Sequence, residues 1–276
     1  MMQTKQNKKY LLLAMLVCIV CIGHAQQDKN PPATNPQPDN AEYKKPKKKF
    51  DPSSAVLIAF DYTAQFPFGH VAQRFGFDNL FCAQLLYKTN KNWLVGGNGG
   101  FIYGTNSKQN YVFSGIANST GQFITQYNDL TQIRPEEHGF NVQFTFGKIV
   151  PLVEKFPDAG LLFMGGFGVV SDKIAVSIKA MELPQLSPEY RKGYDRMCAG
   201  PVASVFLGGT YMGRKKFLSG YAGFEADLSY TINQRPYDFY SMGKLKDQGV
   251  DLFLGVKVGW IIPIFLQTSE KEFFYY

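Results

Sequence analysis

From Leu252 to Leu266 every second residue of this chain is apolar: Leu252, Leu254, Val256, Val258, Trp260, Ile262, Ile264 and Leu266. The other parity carries Asp251, Phe253, Gly255, Lys257 and Gly259. Alternation of this kind marks a β-strand, whose successive side chains point to opposite faces. The preceding segment repeats it, setting Leu218, Gly220, Ala222, Phe224, Ala226, Leu228, Tyr230 and Ile232 against Ser219, Tyr221, Gly223, Glu225, Asp227, Ser229 and Thr231. A third stretch sets Val56, Ile58, Phe60, Tyr62, Ala64, Phe66 and Phe68 against Leu57, Ala59, Asp61, Thr63 and Gln65. Each runs well past the mode of about five or six residues for soluble strands.

Eight such segments fall at roughly 54–66, 79–88, 93–104, 138–148, 160–171, 198–211, 217–232 and 249–266. Their connections alternate in length. Those at 89–92, 149–159 and 212–216 are short to moderate, while those at 67–78, 105–137, 172–197 and 233–248 are mostly long. One face of the strands is nearly all apolar. The other mixes Asp61, Gln84, Asn98, Gln143, Thr145, Ser204, Glu225, Asp227 and Lys257 with small residues. A soluble barrel of lipocalin type needs no such asymmetry of connections, and it would leave that apolar face in water, far beyond what soluble monomers tolerate. Short turns at one end, long loops at the other and an even strand count are how outer-membrane barrels are built. The expected fold is therefore all-β: an eight-stranded antiparallel transmembrane β-barrel in the outer membrane. Its turns would be periplasmic, its long loops extracellular and both its ends periplasmic.

Composition agrees. Hydrophobic residues make up 45% of the 276, aromatics 15%, and charged residues only 18%, with 27 Gly. Such apolar content excludes a disordered chain. Beyond the N-terminus no apolar run approaches the roughly 20 residues of a spanning helix, which excludes a helical membrane bundle.

The first segment, 1–25, reads as a cleaved export signal. Lys5, Lys8 and Lys9 precede the apolar run Leu11–Gly23, and small residues lie at Gly23 and Ala25. The run is too short for a membrane anchor. Val17 and Val20 stand before Cys18 and Cys21 where a lipobox would want a small residue. Residues 26–52 follow as a leader with six Pro and the basic block Lys44, Lys45, Lys47, Lys48 and Lys49, a composition without a packed core. The block fits either contact with anionic headgroups or a solvated spacer. The barrel itself is expected over 53–276. Residues 1–25 and 26–50 contribute +3 each to the net charge of +7, leaving +1 for 51–276. The body thus gives no compositional case for nucleic acid.

Asp61, Glu225, Asp227, Asp251 and Lys257 are the charges expected inside the barrel. They suit either a conduit for ions or small solutes or a closed polar interior; eight strands enclose a space that side chains can fill. In a filled interior Lys257 should lie within salt-bridge distance of Glu225 or Asp227; for the remaining acids, either bases such as Lys148 or Arg196 join them from the rims or some stay hydrated or protonated. Enzymatic signals are thin. His70 and His138 stand alone in sequence, and His138 ends the run Arg134-Pro135-Glu136-Glu137-His138. A carboxylate–His pair there could be an acid/base device, or simply the charged end of a loop. No catalytic, cofactor-binding or metal-ligating residue is assigned. Gly165-Gly166-Phe167-Gly168 lacks the Lys-Ser/Thr of a phosphate loop and reads as strand glycine. Asn118-Ser119-Thr120 is a formal glycosylation sequon that carries no weight here. Cys82 and Cys198 read as buried thiols, with a disulfide as the alternative in an exported protein.

Five stretches go further: Arg74-Phe75-Gly76, Tyr87 to Leu94 (YKTNKNWL), Gln185 to Arg196 (QLSPEYRKGYDR), Tyr221 to Phe239 (YAGFEADLSYTINQRPYDF) and Gly255 to Phe265 (GVKVGWIIPIF). The chain over about 53–276 resembles small outer-membrane barrels of Bacteroidota, of the PorG type that accompanies type IX secretion. That resemblance implies a non-enzymatic structural or accessory part, without catalytic residues or cofactor. Its expected partners are outer-membrane lipid and periplasmic or outer-membrane components of a secretion complex. A narrow channel and a lipid-modifying enzyme are the rival readings.

Overall fold

A computed structural model describes residues 54–153, 158–176, 183–213 and 219–266. The signal segment 1–25, the leader 26–52 and the basic block Lys44, Lys45, Lys47, Lys48 and Lys49 lie outside the described residues.

Each alternating segment is a strand. The chain runs through β1 (Ala55–Gly69), β2 (Asp78–Lys88), β3 (Trp93–Gly104), β4 (Phe123–Ile124), β5 (Leu130–Thr131), β6 (Pro135–Pro151), β7 (Gly160–Val176), β8 (Cys198–Met212), β9 (Ser219–Asn233) and β10 (Gln248–Phe265). β4 and β5 form a small hairpin inside the connection from β3 to β6. The other eight are joined antiparallel in the order β1-β10-β9-β8-β7-β6-β3-β2, and the sheet closes on itself. At the seam β1 lies against β10, with Phe60 opposite Trp260 and Tyr62 opposite Val258. Closure pairs the backbone of every strand on both sides, which is what a sheet in hydrocarbon requires.

β6 and β7 are longer than their alternation. Pairing runs from Pro135 opposite Val176 to Pro151 opposite Gly160, past the expected limits of 138–148 and 160–171. The physical reason is that alternation reports lipid contact, whereas the hydrogen-bonded ladder continues above the bilayer. There the outward positions become Glu136, His138 and Lys173.

The short connection from β2 to β3 is fixed by turn chemistry. Thr89 Oγ1 accepts from the backbone N–H of Lys91 and Trp93, and Asn92 takes the left-handed conformation (φ 63°) that asparagine tolerates. Close strand packing explains the glycines of β7. A Cβ on Gly168 would lie 1.9 Å from the carbonyl oxygen of Val142 on β6, so the Gly165–Gly168 run belongs to the wall.

The outer face is that of a membrane span. Phe81, Leu85, Val142, Phe167, Val205, Phe224 and Val258 are all roughly half exposed or more, on strands all around the barrel. Among the described residues, the charged side chains at outward strand positions are Glu136, His138 and Lys173 at the loop end and Lys148 at the turn end. Both tryptophans of the chain, Trp93 and Trp260, stand outward toward the turn end, with Tyr87 and Tyr211 at the same end. The Lys148 ammonium lies 4.9 Å from the Trp93 ring centroid. Phe66, Phe68 and Phe77 stand exposed at the loop end on the β1–β2 side. Along β3, the stretch from Trp93 to Tyr103 at a strand rise of about 3.3 Å and a tilt of about 40° gives a band about 25 Å tall. Aromatic girdles bounding such a band sit where headgroups meet acyl chains.

Candidate functional site

The inward parity fills the barrel in successive layers. Toward the turns, Leu57, Leu86, Leu94, Ile149, Leu162, Met164 and Ile261 are all buried and pack into one apolar cluster. The void left among them is about 10 Å³. That is the lower limit for one water molecule, in a lining with almost no polar partner to hold it.

Above this plug lies the charged layer. Lys257 on β10 is 2% exposed and donates to Glu225 Oε1 on β9, with Asp61 Oδ1 on β1 at 3.4 Å. Gln84 Nε2 donates to Asp61 Oδ2 (2.8 Å) and to the Tyr221 hydroxyl (3.0 Å), tying β2 to the group. Thr63 Oγ1 donates to Glu225 Oε2, and Gln65 Nε2 donates to Asp227 Oδ2, each at 3.1 Å. On the opposite wall Ser204 Oγ donates to Gln143 Oε1, and Gln143 Nε2 donates to Asn141 Oδ1. Tyr221 reaches across because position 259 is glycine; a Cβ there would meet its ring at 2.3 Å. The layer neutralises its lysine and ties β1, β2, β9 and β10 together through side chains.

A second charged group closes the loop end. The connection from β1 to β2 makes a single helical turn, Val71–Arg74, folded into the barrel mouth. The backbone N–H of Val71 donates to Asp251 Oδ1 (2.6 Å), and Asp251 Oδ2 accepts from Thr231. Arg74 is 2% exposed, pairs with Asp172 on β7 at 2.7 Å and donates to the carbonyl oxygen of Arg196 at 2.9 Å. Burial works against its charge, but Asp172, Asp247 and Glu137 outweigh burial and hold its pKa above the ordinary value. Asp78 and Glu137 are buried beside it, meeting over Gly104, where a Cβ would lie 2.9 Å from Glu137 Oε2. Over this group the loops pack Val71, Phe75, Val112, Phe113, Leu183 and Leu186 into a second apolar cluster.

All five expected interior charges are therefore buried, but they fall into two groups. Asp61, Glu225, Asp227 and Lys257 share the central layer, whereas Asp251 belongs to the mouth. Lys257 takes Glu225, one of the two partners expected for it. Of the two alternatives for the remaining acids, the rim bases do not take the first. Lys148 turns outward onto Trp93, and Arg196 pairs with Asp238 (3.1 Å) and Tyr111 (3.0 Å) in the loops. Both answer to the nearest available partner, since neither can reach the central layer from its rim. His70 is not isolated: its Nε2 bonds Asp247 and its Nδ1 lies 3.7 Å from Asp251. His138 sits 3.6 Å from Glu136 on the outer wall. Cys82 and Cys198 are both buried and free. Among the described residues no group of three or more His, Cys, Asp or Glu is placed to hold a metal ion.

Sequence reading gave no interior role to Arg74, Asp172, Glu137 and Asp78, nor to the pair of buried Lys88 and half-buried Asp158 at 2.7 Å near the turn end. Inward parity was the available signal for Asp78, Lys88, Glu137 and Asp172. For Arg74 there was none, since it comes from a loop.

No known family model matches the chain, and no curated protein matches it in sequence. Solved structures similar to it are outer-membrane barrels. Ail, the attachment invasion locus protein of Yersinia pestis, solved with the heparin analogue sucrose octasulfate, is 12% identical over 76% of this chain and 99% of its own, at TM-score 0.36. OprG of Pseudomonas aeruginosa, an outer membrane protein, is 9% identical over 76% and 96%, at 0.30. A mutant of the monoaromatic hydrocarbon channel TodX is 8% identical over 76% and 90%, at 0.28. The assignment of this chain rests on its own wall: a closed ladder, an uncharged apolar band of membrane height, and aromatics at both ends. It is an outer-membrane β-barrel.

Proposed function

We propose that this barrel is a non-enzymatic structural or accessory subunit, embedded in the outer membrane and serving type IX protein secretion. The observation that carries the first part is the filled interior. An apolar plug with a void of about 10 Å³, a buried, hydrogen-bonded charge layer and a loop lid leave little room for a solute path or a substrate cleft. What the molecule offers to partners is its loop surface and its periplasmic end. The assignment to secretion is supported by the resemblance of the Arg74, Tyr87–Leu94, Gln185–Arg196, Tyr221–Phe239 and Gly255–Phe265 stretches to PorG-type barrels of Bacteroidota. On this reading residues 1–25 are the export signal, and 26–52, with its basic block, lies on the periplasmic side, where secretion components would meet it.

The test is a deletion strain complemented with the intact gene. Loss of type IX cargo from the surface and medium, restored by complementation, supports the assignment, as does cross-linking of the barrel to secretion components in isolated outer membranes. Normal cargo export would remove the secretion role. Altered lipid modification in the same strain would instead favour an enzyme.

A further inference from the structure

We propose that a basic pocket at the extracellular rim, beside β7, seats a phosphate-bearing lipid headgroup of the outer leaflet. The pocket has a volume of about 530 Å³ and lies where the connection from β7 to β8 drapes past the β6–β7 wall. Lys173, Arg191, Lys192 and Arg235 line it, and Asp195 is the acid among its lining residues. Asp195 is already committed: Arg235 grips it through Nε (2.6 Å) and Nη2. Glu136, the nearest outward carboxylate on β6, faces His138. The Arg191 guanidinium donates through Nε to the carbonyl oxygen of Leu186 at 2.8 Å. Among the described residues no carboxylate stands within ion-pair distance of Lys173, Arg191 or Lys192. Three cations around one cavity, without a counter-ion among the described residues, are complementary to a phosphomonoester.

Position selects a lipid over a soluble anion. Lys173 is paired in register with His138, and both point outward. The His138 ring packs on Phe101 (5.4 Å) and Tyr103 (5.5 Å), at the top of the lipid-facing band. The pocket, lined by His138, therefore opens at headgroup level, and the apolar wall begins beside it at Phe101, where the acyl chains of the same lipid would lie. The inference does not depend on the secretion role.

The experiment titrates phosphatidic acid, a phosphomonoester lipid, into the detergent-solubilised protein and counts bound lipid by native mass spectrometry, with zwitterionic phosphatidylcholine as comparator. The wild type should prefer phosphatidic acid. The Lys173→Gln/Lys192→Gln pair should weaken that binding by about 25-fold, about fivefold for each lysine, while Lys173→Arg/Lys192→Arg retains it. The Lys244→Gln/Lys246→Gln pair, in the connection before β10, should behave as wild type. Equal affinity of the wild type for the two lipids would overturn the site on its own, whatever the variants do. So would an equal loss in the Lys244/Lys246 pair, which would mean general surface charge. Displacement of phosphatidic acid by equimolar inorganic phosphate would make the ligand a free anion and overturn the lipid assignment.

Discussion

Lys257 shows how much one inward position carries. Its ammonium is enclosed by Glu225 and Asp61, and taking the base away leaves two carboxylates facing each other in a space without bulk water. Breaking a buried ion pair from one side costs about 3–5 kcal/mol. Lys257→Met should therefore lower the urea midpoint of the folded barrel, and by more than Asp61→Asn or Glu225→Gln, each of which leaves Lys257 one acid. An unchanged midpoint would mean a hydrated lumen. Arg74 acts the same way at the mouth, joining Asp172 to the carbonyl oxygen of Arg196, and Lys108 reaches back to the carbonyl oxygen of Ala72. Arg74→Ala should thus speed tryptic cleavage after Lys108 while the barrel keeps its folded, heat-sensitive mobility on gels. Cleavage at the wild-type rate would show that the apolar lid holds without the arginine. At this scale the sequence was readable where parity applies. Lys257 and Glu225 declare themselves by sitting on inward positions of neighbouring strands, while Arg74 has no periodicity to place it. Asp227 was the equally fair partner on paper, yet Gln65 takes it, a choice made by register rather than by residue type.

On β10 the two faces lie one residue apart, and they should answer differently to mutation. Val258 is 54% exposed on the apolar band while Lys257 is 2% exposed inside. An arginine at mid-band on the lipid side costs about 2–4 kcal/mol. Val258→Arg should abolish or strongly reduce insertion, whereas Lys257→Gln still inserts, though less stably; equal insertion of both would defeat the facing. The glycines of β3 and β7 make a second contrast. Gly168→Ala forces a methyl to 1.9 Å from the Val142 carbonyl oxygen and should cut the folded fraction sharply. At Gly99, by contrast, an added Cβ meets nothing within 4 Å, and Gly99→Ala should fold as wild type. Band shifts on unheated gels report both. Strand positions were the most legible feature, because a half-buried, half-lipid-exposed strand writes its alternation plainly. β3 was placed at 93–104, where it lies. The ends of β6 and β7 were not visible, because there the ladder outlasts the lipid and Glu136, His138 and Lys173 break the pattern while the hydrogen bonds go on. The β4–β5 hairpin escaped notice for a different reason: two-residue strands are too short to show any period.

The barrel is a short cylinder wall around a filled interior, closed by leucine and isoleucine toward the periplasm, by Lys257 and its acids at mid-height, and by folded loops outside. The barrel and its membrane placement could be inferred from alternation and loop lengths alone, since lipid on one side and a confined lumen on the other constrain every strand at once. Whether the lumen conducts could not, because polar inward residues suit a pore and a plug equally; only packing separates them. The most direct test is single-channel recording of the wild-type barrel in planar bilayers. A filled interior predicts a flat baseline with no discrete openings at moderate voltage. Reproducible ohmic steps from the wild-type protein would contradict the closed barrel, and with it the scaffold role built on it.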